Sequence, residues 1–184
     1  MLLRHRLKTT IDSEKKVMTW LSHKILSGSF VYAITGSGIA AFFTAAGSII
    51  PDAMEGLPNK NNYSKWRKNH RQITHWFIPY LVGGVILFAF AILNGVHEVS
   101  TTTIRNLIRY NHNEFKFAVI SYAVAFIAVG ALLHCMQDAI CGTIPSINPT
   151  KRIGKRFFVV RSPKEYVLVG LMSITLVYVR SKLM

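Results

Sequence analysis

The chain has 184 residues, of which 51% are hydrophobic, and a formal net charge of +14. This composition, together with several long uncharged stretches, is typical of an integral membrane protein and argues against a soluble domain. The basic residues are concentrated between the apolar runs, in the stretches 4–24, 60–71 and 151–164. Because Lys and Arg beside a membrane are attracted to anionic lipid headgroups by about 1 kcal/mol each, the charge indicates membrane anchoring rather than nucleic-acid binding.

Four apolar runs follow a basic, amphipathic N-terminal segment, 1–29. The runs 30–50, 76–95 and 117–140 are long enough to cross the ~30 Å hydrocarbon core of a bilayer. The run 166–179 has only 14 uncharged residues and would cross only with the help of its flanks. The sequence therefore predicts an all-α, polytopic membrane protein, a single domain over 1–184 with about four membrane helices.

Residues of metal-ligand type stand at the ends of these runs. Five of them follow the first run, precede the second or lie near the end of the third: Asp52, His70, His75, His134 and Asp138. Alternating spans would place all five on one side of the membrane, and His134 and Asp138, four apart, would project from one helical face. Ionisable groups at a membrane are costly unless something pairs with them, and a shared cation would do so. We therefore expect a membrane metal site.

His70 and His75 are five residues apart, which is too far for one helical face. Thr74 suits the N-cap position of a helix that begins near His75. His70 would then lie in the incoming loop and His75 in the first turn, so both imidazoles could turn toward one cation. Taken alone, this pair is equally compatible with contact to lipid headgroups.

A sixth candidate ligand, His23, would lie about 43 Å from Asp52 if one straight helix joined them. Gly36-Ser37-Gly38 stands midway between them, and two glycines can break or reverse a helix. We therefore expect two short helices, about 18–35 and 38–50, that form a re-entrant hairpin and return His23 to the side of Asp52. Such a hairpin must be covered by the other helices.

The order of these motifs resembles the YdjM family of LexA-binding, inner-membrane-associated, metal-dependent hydrolases. The resemblance runs from about residue 23 to about 158 and rests on Pro51-Asp52, on 69–75 (Asn-His-Arg-Gln-Ile-Thr-His) and on 132–138 (Leu-Leu-His-Cys-Met-Gln-Asp). The segment 69–75 is similar to the family's His-Arg-Gly-x-Thr-His-Ser, with Gln72 for Gly and Trp76 for Ser. The family often continues Pro-Asp with Ile-Asp-His, whereas this chain has Ala-Met-Glu-Gly at 53–56 and so lacks the second Asp and the His.

The resemblance implies hydrolysis assisted by a divalent metal in a bacterial inner membrane. The family's distant similarity to zinc-dependent phospholipases C implies a phosphoester or lipid-linked substrate. Mixed imidazole and carboxylate ligands suit Zn first, and also Mn or Fe. Glu55 is a candidate general base or an ordinary loop residue, and Arg71 could grip a phosphate or pair with Asp52. The basic run 151–156 could hold an anionic headgroup or be a solvated loop.

Two other functions stay open at this point. A non-enzymatic membrane protein could use the His/Asp cluster as a structural metal site or a partner interface, and six ligands would be enough to fill a metal shell. A small ion transporter would place its ionisable residues near the bilayer midplane, whereas five of these six stand at the ends of runs. Cys135 and Cys141 are expected to be packing residues.

Overall fold

The computed structural model describes residues 18–56, 66, 71–100, 103, 105–107, 113–155 and 162–183. Most of these residues are helical, as predicted, in α1 (Trp20–Thr35), α2 (Gly38–Gly47), α3 (Ile50–Glu55), α4 (Phe77–Leu93), α5 (Asn113–Cys141) and α6 (Pro163–Leu183). A 3-10 turn, Ile73–His75, precedes α4. A short antiparallel pair, β1 (Ile144–Pro145) and β2 (Arg152–Ile153), follows α5.

The first apolar run is broken where the sequence predicts a break. α1 ends at Thr35 and is followed by Gly36, whose φ of +71° is the left-handed conformation that glycine adopts at little cost. The side chain of Ser37 then caps α2 by accepting a hydrogen bond from the backbone N–H of Ala40. α1 and α2 pack against each other as a hairpin. α1 begins at Trp20, inside the stretch 1–29 that the sequence assigns to a separate amphipathic segment.

A pair of glycines lies where α2 and α5 cross. A Cβ atom at Gly130 would overlap the backbone of Thr44, and a Cβ atom at Gly47 would overlap the backbone of α5. Without those atoms the two backbones approach closely, as small residues allow in membrane helix pairs. Gly47 lies five residues before Asp52, and Gly130 lies four residues before His134. The close crossing therefore positions two candidate ligands against each other.

The helices carry apolar side chains outward as well as inward. α5 is central and packs against α1, α2 and α4, while α6 packs against α1. Large apolar side chains stay exposed on α1, α2, α4, α5 and α6, among them Ile34, Phe42, Ile86, Phe117 and Ile174. A helix that is apolar on its outer face as well is unusual at a water-exposed surface.

Within the described ranges, one helix, α5, is long and apolar enough to cross a membrane. α4 is apolar but has 17 residues. α6 has 21 residues, since it draws charged residues at both ends into the helix, as the short run 166–179 would require. Four membrane spans therefore remain a prediction, of which α5 matches one by length and composition.

Candidate metal centre

The structure brings five of the six predicted ligands into one buried cluster. Asp52 comes from α3, His75 from the 3-10 turn, His134 and Asp138 from α5, and His23 from α1. Four of the side chains have no exposed surface and Asp52 is 7% exposed. His70 lies outside the described residues. Residues at the ends of three apolar runs therefore meet a residue of the reversed first helix.

Four of these residues could together hold a metal ion: Asp52, His75, His134 and Asp138. One ligand atom from each residue lies within 4.8 Å of the others. The Nε2 atom of His75 lies 3.3 Å from Oδ1 of Asp52, 3.2 Å from Oδ2 of Asp138 and 3.1 Å from Nε2 of His134. The Nε2 atom of His134 lies 3.5 Å from Asp52 Oδ1 and 3.6 Å from Asp138 Oδ2.

These distances match the spacing of ligands around one ion. Ligands about 2.0–2.2 Å from a tetrahedral metal stand about 3.3–3.6 Å apart, since a tetrahedron's edge is about 1.6 times its centre-to-corner distance. Of the six pairs that four donor atoms form, the five measured above lie between 3.1 and 3.6 Å apart. The four residues could therefore hold one metal ion between them.

Unpaired polar atoms point to the same conclusion. Asp52 Oδ1, Asp138 Oδ2 and His23 Nε2 are buried and have no hydrogen-bond partner among the described residues. Buried polar atoms are usually paired, because leaving one unpaired costs roughly 1–3 kcal/mol. Two of the three belong to the donor pairs measured above, and the third, His23 Nε2, lies 3.6 Å from Asp138 Oδ1.

The charges around the histidines suit a divalent cation. Three carboxylates contact the imidazoles, those of Asp52, Glu55 and Asp138. The guanidinium of Arg71 pairs with Asp138. With neutral imidazoles, three negative charges and one positive charge leave a net charge of −2 in the cluster. Buried charge is costly unless it is balanced, and a divalent ion would balance this one.

Glu55 lies behind His75, on the side of the ring that faces away from the cluster. Its Oε1 atom is 3.0 Å from Nδ1 of His75 and also accepts hydrogen bonds from the backbone N–H of Arg71 and the hydroxyl of Thr74. A carboxylate in this position holds the ring proton on Nδ1 and leaves the Nε2 lone pair for a metal. Glu55 is therefore placed to orient a ligand.

His23 and Asp52 are also held from outside the cluster. Nδ1 of His23 is 2.6 Å from Oε1 of Gln137, whose amide nitrogen donates to Ser27. The His23 ring stacks on His134 with a centroid distance of 3.9 Å. Trp20 donates its indole N–H to Oδ2 of Asp52 at 2.9 Å, which leaves Oδ1 of Asp52 facing the histidines. These contacts restrict the rotation of the donor groups.

Arg71 pairs with Asp138 across 2.7 Å, whereas the sequence left a phosphate or Asp52 as the two alternatives for its guanidinium. The side chain of Arg71 reaches α5 because Gly142 has no Cβ atom. A Cβ atom at Gly142 would overlap the guanidinium. Arg71 has a φ of +60°, which costs a non-glycine residue roughly 1–2 kcal/mol. Its carbonyl oxygen accepts a hydrogen bond from Arg152, and its backbone N–H donates to Glu55, so both sides of the residue are fixed.

The carboxylates favour positive charge on the His75 ring. Burial lowers the pKa of His75, but the neighbouring carboxylates of Asp138, Asp52 and Glu55 outweigh burial and raise it from 6.5 to about 10. Burial raises the pKa of Asp52, but the neighbouring imidazoles of His134 and His75 outweigh burial and hold that pKa far below its usual value. The cluster thus attracts a cation at His75, whether a proton or a metal ion.

Sequence reasoning missed three supporting contacts. Gln137, three residues after His134 on the same helix, could have been found from that spacing. Trp20 and Arg152 are distant in sequence from the residues they support, and no local pattern marks them. The two cysteines are buried and unpaired with each other, as expected for packing residues, and neither belongs to the four-residue donor group.

The fold and the cluster define a mostly helical protein with a buried His/Asp group that could hold a metal ion. The chain belongs to the YdjM inner membrane protein family, whose model matches residues 18–182. This match confirms the family that the motifs indicate. No curated protein and no solved structure matches the chain.

Proposed function

We propose that this protein is a metal-dependent hydrolase that acts on a phosphoester or lipid-linked substrate at the membrane surface. The observation that carries the proposal is the convergence of Asp52, His75, His134 and Asp138 at distances that suit one metal ion. Two imidazoles and two carboxylates suit Zn first, while Mn and Fe accept the same donors.

The residues around the cluster suit phosphoester chemistry. A bound divalent cation supplies an acidified water molecule and polarises a phosphoryl oxygen. Arg71 lies beside the cluster, and its Nε atom is buried without a hydrogen-bond partner in the described part of the chain. A guanidinium in this position would bind a phosphoryl oxygen. Glu55 would act by orienting His75, since its Oε1 atom lies 3.0 Å from His75 Nδ1 and already accepts two hydrogen bonds.

The surroundings of the site support a lipid-linked substrate. Apolar side chains are exposed on the outer faces of α1, α4, α5 and α6, which is the surface that lipid would cover. The exposed Lys151, Arg152 and Lys155 follow the end of α5 that carries the cluster. Basic side chains there would attract an anionic headgroup to the plane of the site.

One observation favours a second candidate, a structural metal site in a non-enzymatic membrane protein. The four donor side chains are at most 7% exposed, and the imidazole of His23 lies beside them as a fifth candidate ligand. Structural sites have all their positions filled by protein, whereas catalytic sites keep one open for water. The two functions differ in turnover and not in metal content.

Turnover separates the two functions. Purified, metal-loaded protein would be incubated with anionic phospholipids and with phosphoester reporters, beside His134→Ala and the control His97→Ala. His97 is exposed in the segment after α4. We expect hydrolysis by the wild type and the control, loss in His134→Ala, and loss on chelation that added metal reverses. Tight metal binding that depends on His134 without hydrolysis of any of these substrates would indicate the structural site.

A further inference from the structure

An apolar groove of about 370 Å³ runs along the interface of α4 and α5. Its walls include Tyr80, Val85 and Phe88 from α4 and Ala125, Phe126 and Leu132 from α5. We propose that this groove binds one acyl chain of a lipid whose anionic headgroup lies at the His/Asp cluster. The proposal rests on the proposed function and names its substrate class, a phospholipid bound by headgroup and chain together.

One lining residue of the groove contacts the backbone next to the cluster. Tyr80 stands at one end, and its hydroxyl donates to the carbonyl oxygen of Thr74, the residue before His75. On the opposite wall, Leu132 precedes His134 by two residues. From Tyr80 to Phe88 the groove follows α4 for eight residues, about 12 Å at 1.5 Å per residue. A chain lying in the groove would therefore lead from the cluster into the apolar part of the helix pair.

Small residues form the floor of the groove. Gly84 is buried, and a Cβ atom added there would lie 3.3 Å from the Cβ atom of Ala128. Ala125 is 1% exposed. Phe88 and Phe126, with ring centroids 6.1 Å apart, stand at the far end from Tyr80. Val85, 61% exposed, lies at the rim, so the groove opens on the outer face of the helices.

The lining favours an acyl chain over a peptide segment. Its side chains are apolar except for the Tyr80 hydroxyl, which already donates to Thr74. A peptide would bring backbone N–H and C=O groups that find no side-chain partner in the groove, at a cost of roughly 1–3 kcal/mol each. An acyl chain has no such groups and gains about 0.8 kcal/mol for each buried methylene. The exposed basic residues 151, 152 and 155 follow the cluster end of α5 and complement an anionic headgroup.

Photocrosslinking with two lipid probes tests the groove and its direction. Full-length protein in nanodiscs would receive phosphatidylglycerol with a diazirine either at the end of one acyl chain or next to the glycerol, and labelled residues would be located by mass spectrometry. We expect the terminal diazirine to label near Phe88 and Ala125. The diazirine next to the glycerol should label near Tyr80 and Leu132.

A matched pair of substitutions gives the control. Val85→Trp fills the groove, whereas Val82→Trp adds the same bulk to an exposed position of α4 that does not line it. Labelling of the groove should fall at least about tenfold in Val85→Trp, which is 1.4 kcal/mol, and stay unchanged in Val82→Trp. Ala89→Phe, also in the groove, provides a second obstruction if Val85→Trp fails to fold.

The outcome is independent of catalysis. Because the groove is built by side chains outside the cluster, directed labelling should persist in His134→Ala, even if no substrate is hydrolysed. That result would support lipid binding in the groove. The hydrolase proposal would be tested separately, by the turnover assay. Equal labelling along all exposed helix faces, unaffected by Val85→Trp and Ala89→Phe, would show surrounding lipid only and overturn the groove.

Discussion

Replacing Glu55 by glutamine removes one negative charge from behind the His75 ring and nearly preserves the size of the side chain. The carboxylate oxygen lies 3.0 Å from His75 Nδ1 and accepts the backbone N–H of Arg71 at 2.8 Å. Hydrogen bonds to a charged group contribute about 1.5–3 kcal/mol and neutral ones about 1 kcal/mol, so Glu55→Gln should weaken the hold on His75 by roughly 1 kcal/mol or more. Carboxylates behind metal-binding histidines change metal affinity 10–100-fold, or about 1.4–2.7 kcal/mol. We expect Glu55→Gln to lower the metal affinity about tenfold.

A competition titration with a chromophoric chelator in detergent would measure this loss. Glu98→Gln is the matched control, because Glu98 is exposed in the segment after α4, away from the cluster. Unchanged metal affinity in Glu55→Gln would refute the orienting role. Unchanged affinity combined with abolished hydrolysis would instead assign Glu55 the role of general base.

Two further predictions concern the helix crossing and the protonation of the cluster. Gly130→Ala should lower the free energy of unfolding in detergent by about 1–3 kcal/mol, because the added Cβ atom overlaps the backbone of α2. Gly170→Ala on α6, where an added Cβ atom meets nothing within 4 Å, should leave the free energy of unfolding unchanged or raise it. If both substitutions changed the free energy of unfolding equally, α2 and α5 would cross less closely than the structure shows. The pKa of His75 is raised from 6.5 to about 10 without metal, so below pH 10 a metal ion must displace its proton. Metal affinity should then rise about tenfold per pH unit up to about pH 10. Calorimetry in buffers of different ionisation enthalpy should detect about one proton released from pH 7 to 9, and no release would contradict the protonated ring.

The features predicted from the sequence are those with a local signal. Gly36-Ser37-Gly38 breaks the first apolar run because glycine adopts a positive φ at little cost, and that break returns His23 to the cluster. The positions of Asp52, His75 and His134 at the ends of alternating runs predict that they meet. Their convergence follows from the order of the helices, which a single sequence can indicate.

The features that were not predicted depend on how the helices cross. The close approach of Gly47 and Gly130 is set by the facing backbones of α2 and α5, and nothing in either helix alone identifies its partner. Arg71 contacts Asp138 instead of Asp52 because its backbone takes a left-handed conformation and Gly142 leaves room for the guanidinium. Such contacts can be predicted only when the relative positions of the three segments are known.

The metal content of the purified protein tests the central claim most directly. Elemental analysis after detergent purification would be made on the wild type, on His75→Ala, His134→Ala and Asp138→Ala, and on the control His97→Ala. We expect near-stoichiometric zinc, manganese or iron in the wild type and the control and its loss in all three cluster variants. A wild-type protein without metal after exposure to these ions, or metal retained in all three variants, would contradict a metal site at this cluster.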